Sequence, residues 1–407
     1  MLSKLSLPLI LLITISANSQ FKNDNVLYKT VDPADLCATL EKNKGYILLD
    51  VRSPGEFADT SMSTSYNLGH LKGARNIDVA ELGKRLLEIK EYKNRPVFVY
   101  CSHSQRSRRA NKMLSDSGFT NLFNINGGMT AIYYSELNGK GCLKSLVETI
   151  NSYEIISANE LCKKQNIKNN KVFVLDVRPD SAFRHISKSA KENAMGVIRG
   201  SVNIPLADLP GRLSEIPKGF GEIVVTDIYG DEAAKAAVLL KQNGYSKVSI
   251  LIEGIDRILY TDASNLPCRD ELYVSPLTYQ TITVSEFGKN AKENNNFILL
   301  DVRTADEFLN RHTDSWRNIG HIKDAINIPV ADINRRSYEL DKNKEILIYS
   351  FGSGKDPFEA ANALQKLGFN KLKVIYGGVF NMRWTAGNVK DQSYLKDFVV
   401  DIPESNQ

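Results

Sequence analysis

Tyr46-Ile47-Leu48-Leu49-Asp50-Val51-Arg52 is an apolar run closed by an acid, a valine and a base, and the chain repeats it twice. It returns as Val172-Phe173-Val174-Leu175-Asp176-Val177-Arg178 and as Phe297-Ile298-Leu299-Leu300-Asp301-Val302-Arg303, a period of about 125 residues. Solenoid units are far shorter, so each copy is the size of a whole domain. A continuous apolar run of this length reads as a parallel strand buried on both faces.

Further anchors follow at near-constant spacing. Gly69-His70-Leu71-Lys72-Gly73-Ala74-Arg75-Asn76-Ile77 is matched by Gly196-Val197-Ile198-Arg199-Gly200-Ser201-Val202-Asn203-Ile204 and by Gly320-His321-Ile322-Lys323-Asp324-Ala325-Ile326-Asn327-Ile328. A short strand and a helical stretch then end at Gly118-Phe119, Gly244-Tyr245 and Gly368-Phe369. A last strand leads to Asn126-Gly127-Gly128, Glu253-Gly254 and Tyr376-Gly377-Gly378. Strands alternating with helices imply an α/β fold: three tandem domains, each a parallel sheet flanked by helices. The repeat sets bounds at 28–145, 152–270 and 278–392, with a tail at 393–407. In such sheets, sites form in loops beyond the carboxyl ends of strands.

Composition is that of an ordinary globular chain: 42% hydrophobic, 24% charged, net charge +5 over 407 residues. Neither disorder nor a multispanning membrane protein fits these values. Acidic and basic residues are interspersed, with no basic stripe to hold nucleic acid. Residues 1–19 differ: Lys4, an apolar run from Leu5 to Ile15, and Ala17-Asn18-Ser19 read as a cleavable signal peptide. Export to a bacterial periplasm is therefore expected, with no membrane association after cleavage. The histidines are scattered and no Cys-x-x-Cys pair exists, so no metal site is expected. No glycine fingerprint for phosphate follows a strand, and no cofactor is called for.

The loop after the strand 96–100 carries the chemistry: Cys101-Ser102-His103-Ser104-Gln105-Arg106-Ser107, then Arg108-Arg109-Ala110 opening a helix. A cysteine between a strand end and a helix amino terminus has its thiolate stabilised by converging N–H groups and nearby cations. The short Ser102 and Ser104 let the chain curl into an anion nest.

The Asp-Val-Arg box, the Gly-His-Leu-x-Gly-Ala box, the strand Val97-Phe98-Val99-Tyr100 running into Cys101, and Gly127-Gly128-Met129-Thr130-Ala131 together resemble the rhodanese homology family, over nearly the whole chain. The resemblance implies a sulfurtransferase. Cys101 would take sulfur from a small anionic donor such as thiosulfate, hold it as a persulfide, and pass it to cyanide, a thiol or a protein acceptor. Ser102, His103, Ser104, Gln105, Arg106 and Ser107 would bind the substrate, with Arg106 orienting the donor. The loop has four residues between Cys101 and Arg106, as in the sulfurtransferase members; the related phosphatases and arsenate reductases carry one more. A scaffold or sulfur-carrier protein is the alternative, and a phosphatase of the same fold comes after it. His103 is expected to be a solvent-exposed loop residue, while His70 and His321 support turns or pack near the site. Asp50 and Arg52 recur in copies without the cysteine, so they are expected to be architectural, as a partly buried ion pair or strand-end cap.

Copies two and three depart from the pattern. Asp227 replaces the cysteine and Glu232 replaces Arg106; a carboxylate cannot hold a persulfide, and acids in the nest repel thiosulfate. Copy three has Ser350, followed by a glycine-rich loop one residue longer, and no base to activate the hydroxyl. Both are expected to be inactive.

The remaining cysteines follow the repeat. Cys37 corresponds to Cys162 and Cys142 to Cys268, while copy three has Gly288 and Gln392 at these positions. Joint presence and joint absence point to Cys37–Cys142 and Cys162–Cys268 disulfides, although other pairings are compatible with sequence alone.

Overall fold

The computed structural model describes residues 27–135, 142–166, 171–219, 221–293 and 296–403. The signal-peptide expectation at 1–19 lies outside them. Each repeat builds one five-stranded, all-parallel sheet. In the first repeat the spatial order is Lys29–Val31, Leu122–Ile125, Val97–Tyr100, Ile47–Asp50, Arg75–Asn76. The second and third repeats keep that order, with Glu222–Thr226 and Glu345–Tyr349 as their central strands. The Asp-Val-Arg run lies beside the central strand in register: Asp50 pairs with Tyr100, Asp176 with Thr226 and Asp301 with Tyr349. Each repeat adds a two-residue antiparallel pair to its Gly-His-type box, from residues 147–148, 273–274 and 399–400. These residues follow the repeat bounds drawn from sequence.

The Asp-Val-Arg box is a buried ion pair in every copy, more deeply enclosed than expected. Arg52 Nη2 is 2.7 Å from Asp50 and donates to the carbonyl of Gly69 at 2.6 Å. Arg178 and Arg303 repeat this with Asp176 and Gly196 O, and with Asp301 and Gly320 O. The pair thus clamps the strand end to the next box, and each guanidinium is fully buried. A buried charge is tolerated only when paired and hydrogen-bonded in this way.

The predicted disulfides are present: Cys37–Cys142 and Cys162–Cys268, with Cα separations of 6.0 and 6.4 Å. Each ties the first helix, Pro33–Lys42 or Ala158–Asn166, to a short helix after the last strand. Copy three fills the same place with apolar packing. A Cβ on Gly288 would run into Leu395, and Tyr394 lies beside it. Among the described residues no helix is long and apolar enough to cross a membrane.

The repeats touch one another directly. Between copies one and two, Thr64 Oγ1 donates to Asp231 O at 2.8 Å and Tyr134 Oη to Ile252 O at 3.1 Å. Copies two and three meet through the Tyr260 and Tyr376 rings, 4.7 Å between centroids. Arg108 and Asn126 of copy one donate to Gly387 O and Asn388 O of copy three at 3.0 and 2.6 Å.

Candidate active site at the junction of the three repeats

Cys101 ends the strand Val97–Tyr100 and precedes the helix Gln105–Asp116. It is the one cysteine outside a disulfide among the described residues, and it is buried. Its Sγ lies 3.7 Å from Ser107 Oγ, which in turn donates to Asn124 Oδ1 at 2.7 Å. Ser104 turns the loop in a left-handed conformation (φ 78°), and its hydroxyl accepts from Gly127 N at 2.6 Å. The glycine pair braces the loop from the other side. Met129 N and Thr130 N donate to the carbonyls of Cys101 and Ser102 at 2.9 and 3.1 Å. A Cβ on Gly128 (φ 58°) would collide with the Cys101 carbonyl, which is why the motif needs glycine there.

In copy two the same loop closes on a carboxylate of its own. The Asp227 carboxylate takes the position of the thiol and accepts from the backbone N–H of Gly230, of Glu232 at 2.7 Å and of Ala233 at 3.2 Å. Burial pushes this carboxyl up to about 6 against the three N–H donors, so it is still largely ionised at neutral pH. The residues of copy one aligned with Gly230, Glu232 and Ala233 are Ser104, Arg106 and Ser107. In copy three Ser350 Oγ is 3.4 Å from the Asp356 carboxylate, which brings negative charge to the mouth of that loop.

The structure qualifies several expectations about site side chains. Ser104 and Ser107 are buried beneath the loop, whereas Cys101, Ser102, His103, Gln105 and Arg106 line an open cleft. Arg106 is not a free cation. Its guanidinium grips both oxygens of Glu56 at 2.5 and 2.6 Å and touches Ser102 Oγ at 3.0 Å. Burial would raise the Glu56 carboxyl, but the bonds and charge of Arg106, with Ser53, hold it below its ordinary value. Glu56 went unnoticed in the sequence, yet the repeat carries a signal for it. Where Arg106 becomes Glu232, Glu56 becomes Ala182.

His103 keeps 37% of its side chain exposed, in line with a solvent-exposed loop residue, but it is not unpartnered. Its Nε2 is 2.7 Å from Glu253 Oε1 of copy two and 3.2 Å from Thr130 Oγ1, and the Tyr66 ring stands edge-on to it at 6.2 Å. His70 supports a turn, with Nδ1 3.0 Å from Phe57 O and its ring stacked on Phe57. His321 packs on Phe308 in the same manner.

The cleft over Cys101 has a volume near 640 Å³ and draws walls from all three repeats. Glu56, Tyr66 and the cysteine loop come from copy one, Glu253, Asp256, Arg257 and Tyr260 from copy two, and Phe380 and Trp384 from copy three.

Comparison with known proteins agrees with this architecture. The Rhodanese-like domain profile matches residues 32–134, 157–259 and 283–383. The uncharacterized protein YqhL of Bacillus subtilis is 41% identical over 81 residues, covering 20% of this chain and 56% of that protein. The thiosulfate sulfurtransferase PspE of Escherichia coli is 31% identical over 91 residues, covering 22% of this chain and 86% of that protein. A solved thiosulfate sulfurtransferase from Pseudomonas aeruginosa covers 85% of this chain and 66% of its own, at 16% identity and a TM-score of 0.23. The chain thus spans little more than half the length of the Bacillus relative. Three parallel-sheet domains, one bearing a cysteine over a helix amino terminus, define a sulfurtransferase-like α/β protein. The chain belongs to the rhodanese-like domain family.

Proposed function

We propose that this protein is a sulfurtransferase whose first domain works through a Cys101 persulfide, while domains two and three are catalytically inactive. The observation that carries the reading is the copy-two loop, where three N–H groups converge on an anion held at the position equivalent to Cys101. Such a nest would favour thiolate over thiol and then hold the persulfide.

The Cys101 thiolate attacks the outer sulfur of thiosulfate. A sulfur–sulfur bond forms to Cys101, the bond to the sulfonate sulfur breaks, and sulfite leaves with the electron pair. The acceptor, cyanide or a thiol, then takes the outer sulfur and returns Cys101 as thiolate. Ser104, Arg106 and Ser107 act through backbone N–H groups, and the Arg106–Glu56 pair holds the loop in place. The disulfides support export to an oxidising compartment, where such bonds persist.

A carrier that is loaded once and discharged to another protein is the second reading, and the neutralisation of Arg106 by Glu56 favours it. Steady-state release of thiocyanate from thiosulfate and cyanide separates the two. The enzyme gives continuous turnover that Cys101→Ala abolishes; a carrier gives a single equivalent.

A further inference from the structure

Glu253 occupies a position where the other two copies have glycine. Gly127, Glu253 and Gly377 each precede the helix that braces the cysteine-position loop, and all three take a left-handed backbone, with φ of 68°, 54° and 84°. That region suits glycine and is unfavourable for a glutamate, so copy two holds strain at this position where the other copies do not. What distinguishes the side chain is its reach. Its carboxylate leaves its own domain and meets His103 Nε2 in the cysteine loop of domain one. Arg257, one turn along the same helix, lies 3.8 Å from its second oxygen and stacks on Tyr134 of domain one. Burial alone would raise the Glu253 carboxyl; the His103 hydrogen bond and the Arg257 charge outweigh it and bring it to about 2. The carboxylate is therefore the acceptor, and Nε2–H the donor.

That polarity fixes the other ring nitrogen. In the neutral imidazole, a proton on Nε2 toward Glu253 leaves the lone pair on Nδ1, for which no hydrogen-bond partner is found among the described residues. An acid that orients a histidine through one nitrogen makes the other a base. His103 and Cys101 line the same cleft, which is much larger than cyanide needs and is walled by Tyr66, Tyr260, Phe380 and Trp384. The charged groups that line this cleft with His103 are Arg106 and Glu56 from domain one and Glu253, Asp256 and Arg257 from domain two.

We infer that Glu253 of the inactive second domain positions His103 as the proton acceptor for an organic thiol that receives sulfur from Cys101. The assignment rests on the sulfur-transfer reading above and names its acceptor class. Once the persulfide has been protonated from solvent, His103 Nδ1 takes the proton of the incoming R–SH. The resulting R–S⁻ attacks the outer sulfur of Cys101–S–SH. An R–S–SH bond forms, the Cys101 sulfur–sulfur bond breaks, and Cys101 leaves as thiolate. The imidazolium then returns its proton to solvent.

The test uses the full chain and two acceptors: 2-mercaptoethanol, protonated at neutral pH, and 5-thio-2-nitrobenzoate, already a thiolate. In Glu253→Gln and His103→Gln the ratio of the alkyl to the aryl rate should fall by about tenfold or more, the scale of lost base catalysis. Glu253→Asp should recover part of that ratio. An unchanged ratio in either variant overturns the assignment, and so does loss of sulfur loading from thiosulfate in Glu253→Gln, which would place the pair in the first half-reaction. Failure of the wild-type protein to load any sulfur is a different result and removes the sulfurtransferase reading itself.

Discussion

At the scale of single residues, the cysteine loop is held by contacts of unequal kinds. Glu56 and Arg106 form a bidentate pair in which the acid is nearly buried and the base one-third exposed, so solvent screens part of its strength. Glu56→Gln should destabilise the first domain by about 1–3 kcal/mol, as expected when a charged hydrogen-bond partner is lost. The pH sign follows from the lowered carboxyl. The pair's contribution is complete above the ordinary glutamate range and disappears as pH falls through the lowered folded value, and Glu56→Gln should flatten this acid limb in denaturant titrations. Sequence displayed Cys101 and Arg106 because both sit in one short loop. It did not display the partner of Arg106, fifty positions earlier, and so Arg106 looked like a free anion-binding charge. Likewise sequence did not display the partner of His103, because Glu253 is brought near only by the contact between two domains.

At the scale of elements, the recurring unit is a strand end, a loop and a helix, braced from behind by the helix that starts at the second glycine of the pair. The brace is a backbone contact, so its failure should be severe. Gly128→Ala pushes a Cβ into the Cys101 carbonyl and should reduce sulfur loading at least a hundredfold, measured as sulfite release, since misplacing reacting atoms by about 1 Å costs that order of rate. The same element in domain two is closed by its own Asp227. Asp227→Ala should expose three unpaired N–H groups and cost domain two about 1–3 kcal/mol in chemical unfolding. The buried strand of each repeat was legible from the three Asp-Val-Arg runs, because a buried parallel strand must be apolar on both faces, whereas the order of the strands came only from the structure. The antiparallel pairs at 147–148, 273–274 and 399–400 were not, since two residues carry no periodicity.

At the scale of the whole molecule, the three repeats enclose one cleft over one cysteine. Trp384 of domain three stands in its wall without touching the loop's hydrogen bonds. Trp384→Ala should raise KM for an organic thiol severalfold and leave KM for cyanide little altered, as steady-state rates with both acceptors would reveal. Two domains are cross-linked and the third is not, a difference the sequence carried openly: paired cysteines were absent together where Gly288 admits Leu395. The family resemblance implies that an inactive repeat helps shape the mouth of the active one, but the residues that wall the cleft were illegible, because they depend on how whole domains dock. That the molecule is built around a single reactive sulfur is the central claim. Mass spectrometry of the intact, non-reduced protein after thiosulfate treatment tests it most directly. The expected result is a gain of one sulfur atom, located on the peptide containing Cys101, removed by cyanide and absent in Cys101→Ser. No gain, or a gain that survives Cys101→Ser, would contradict it.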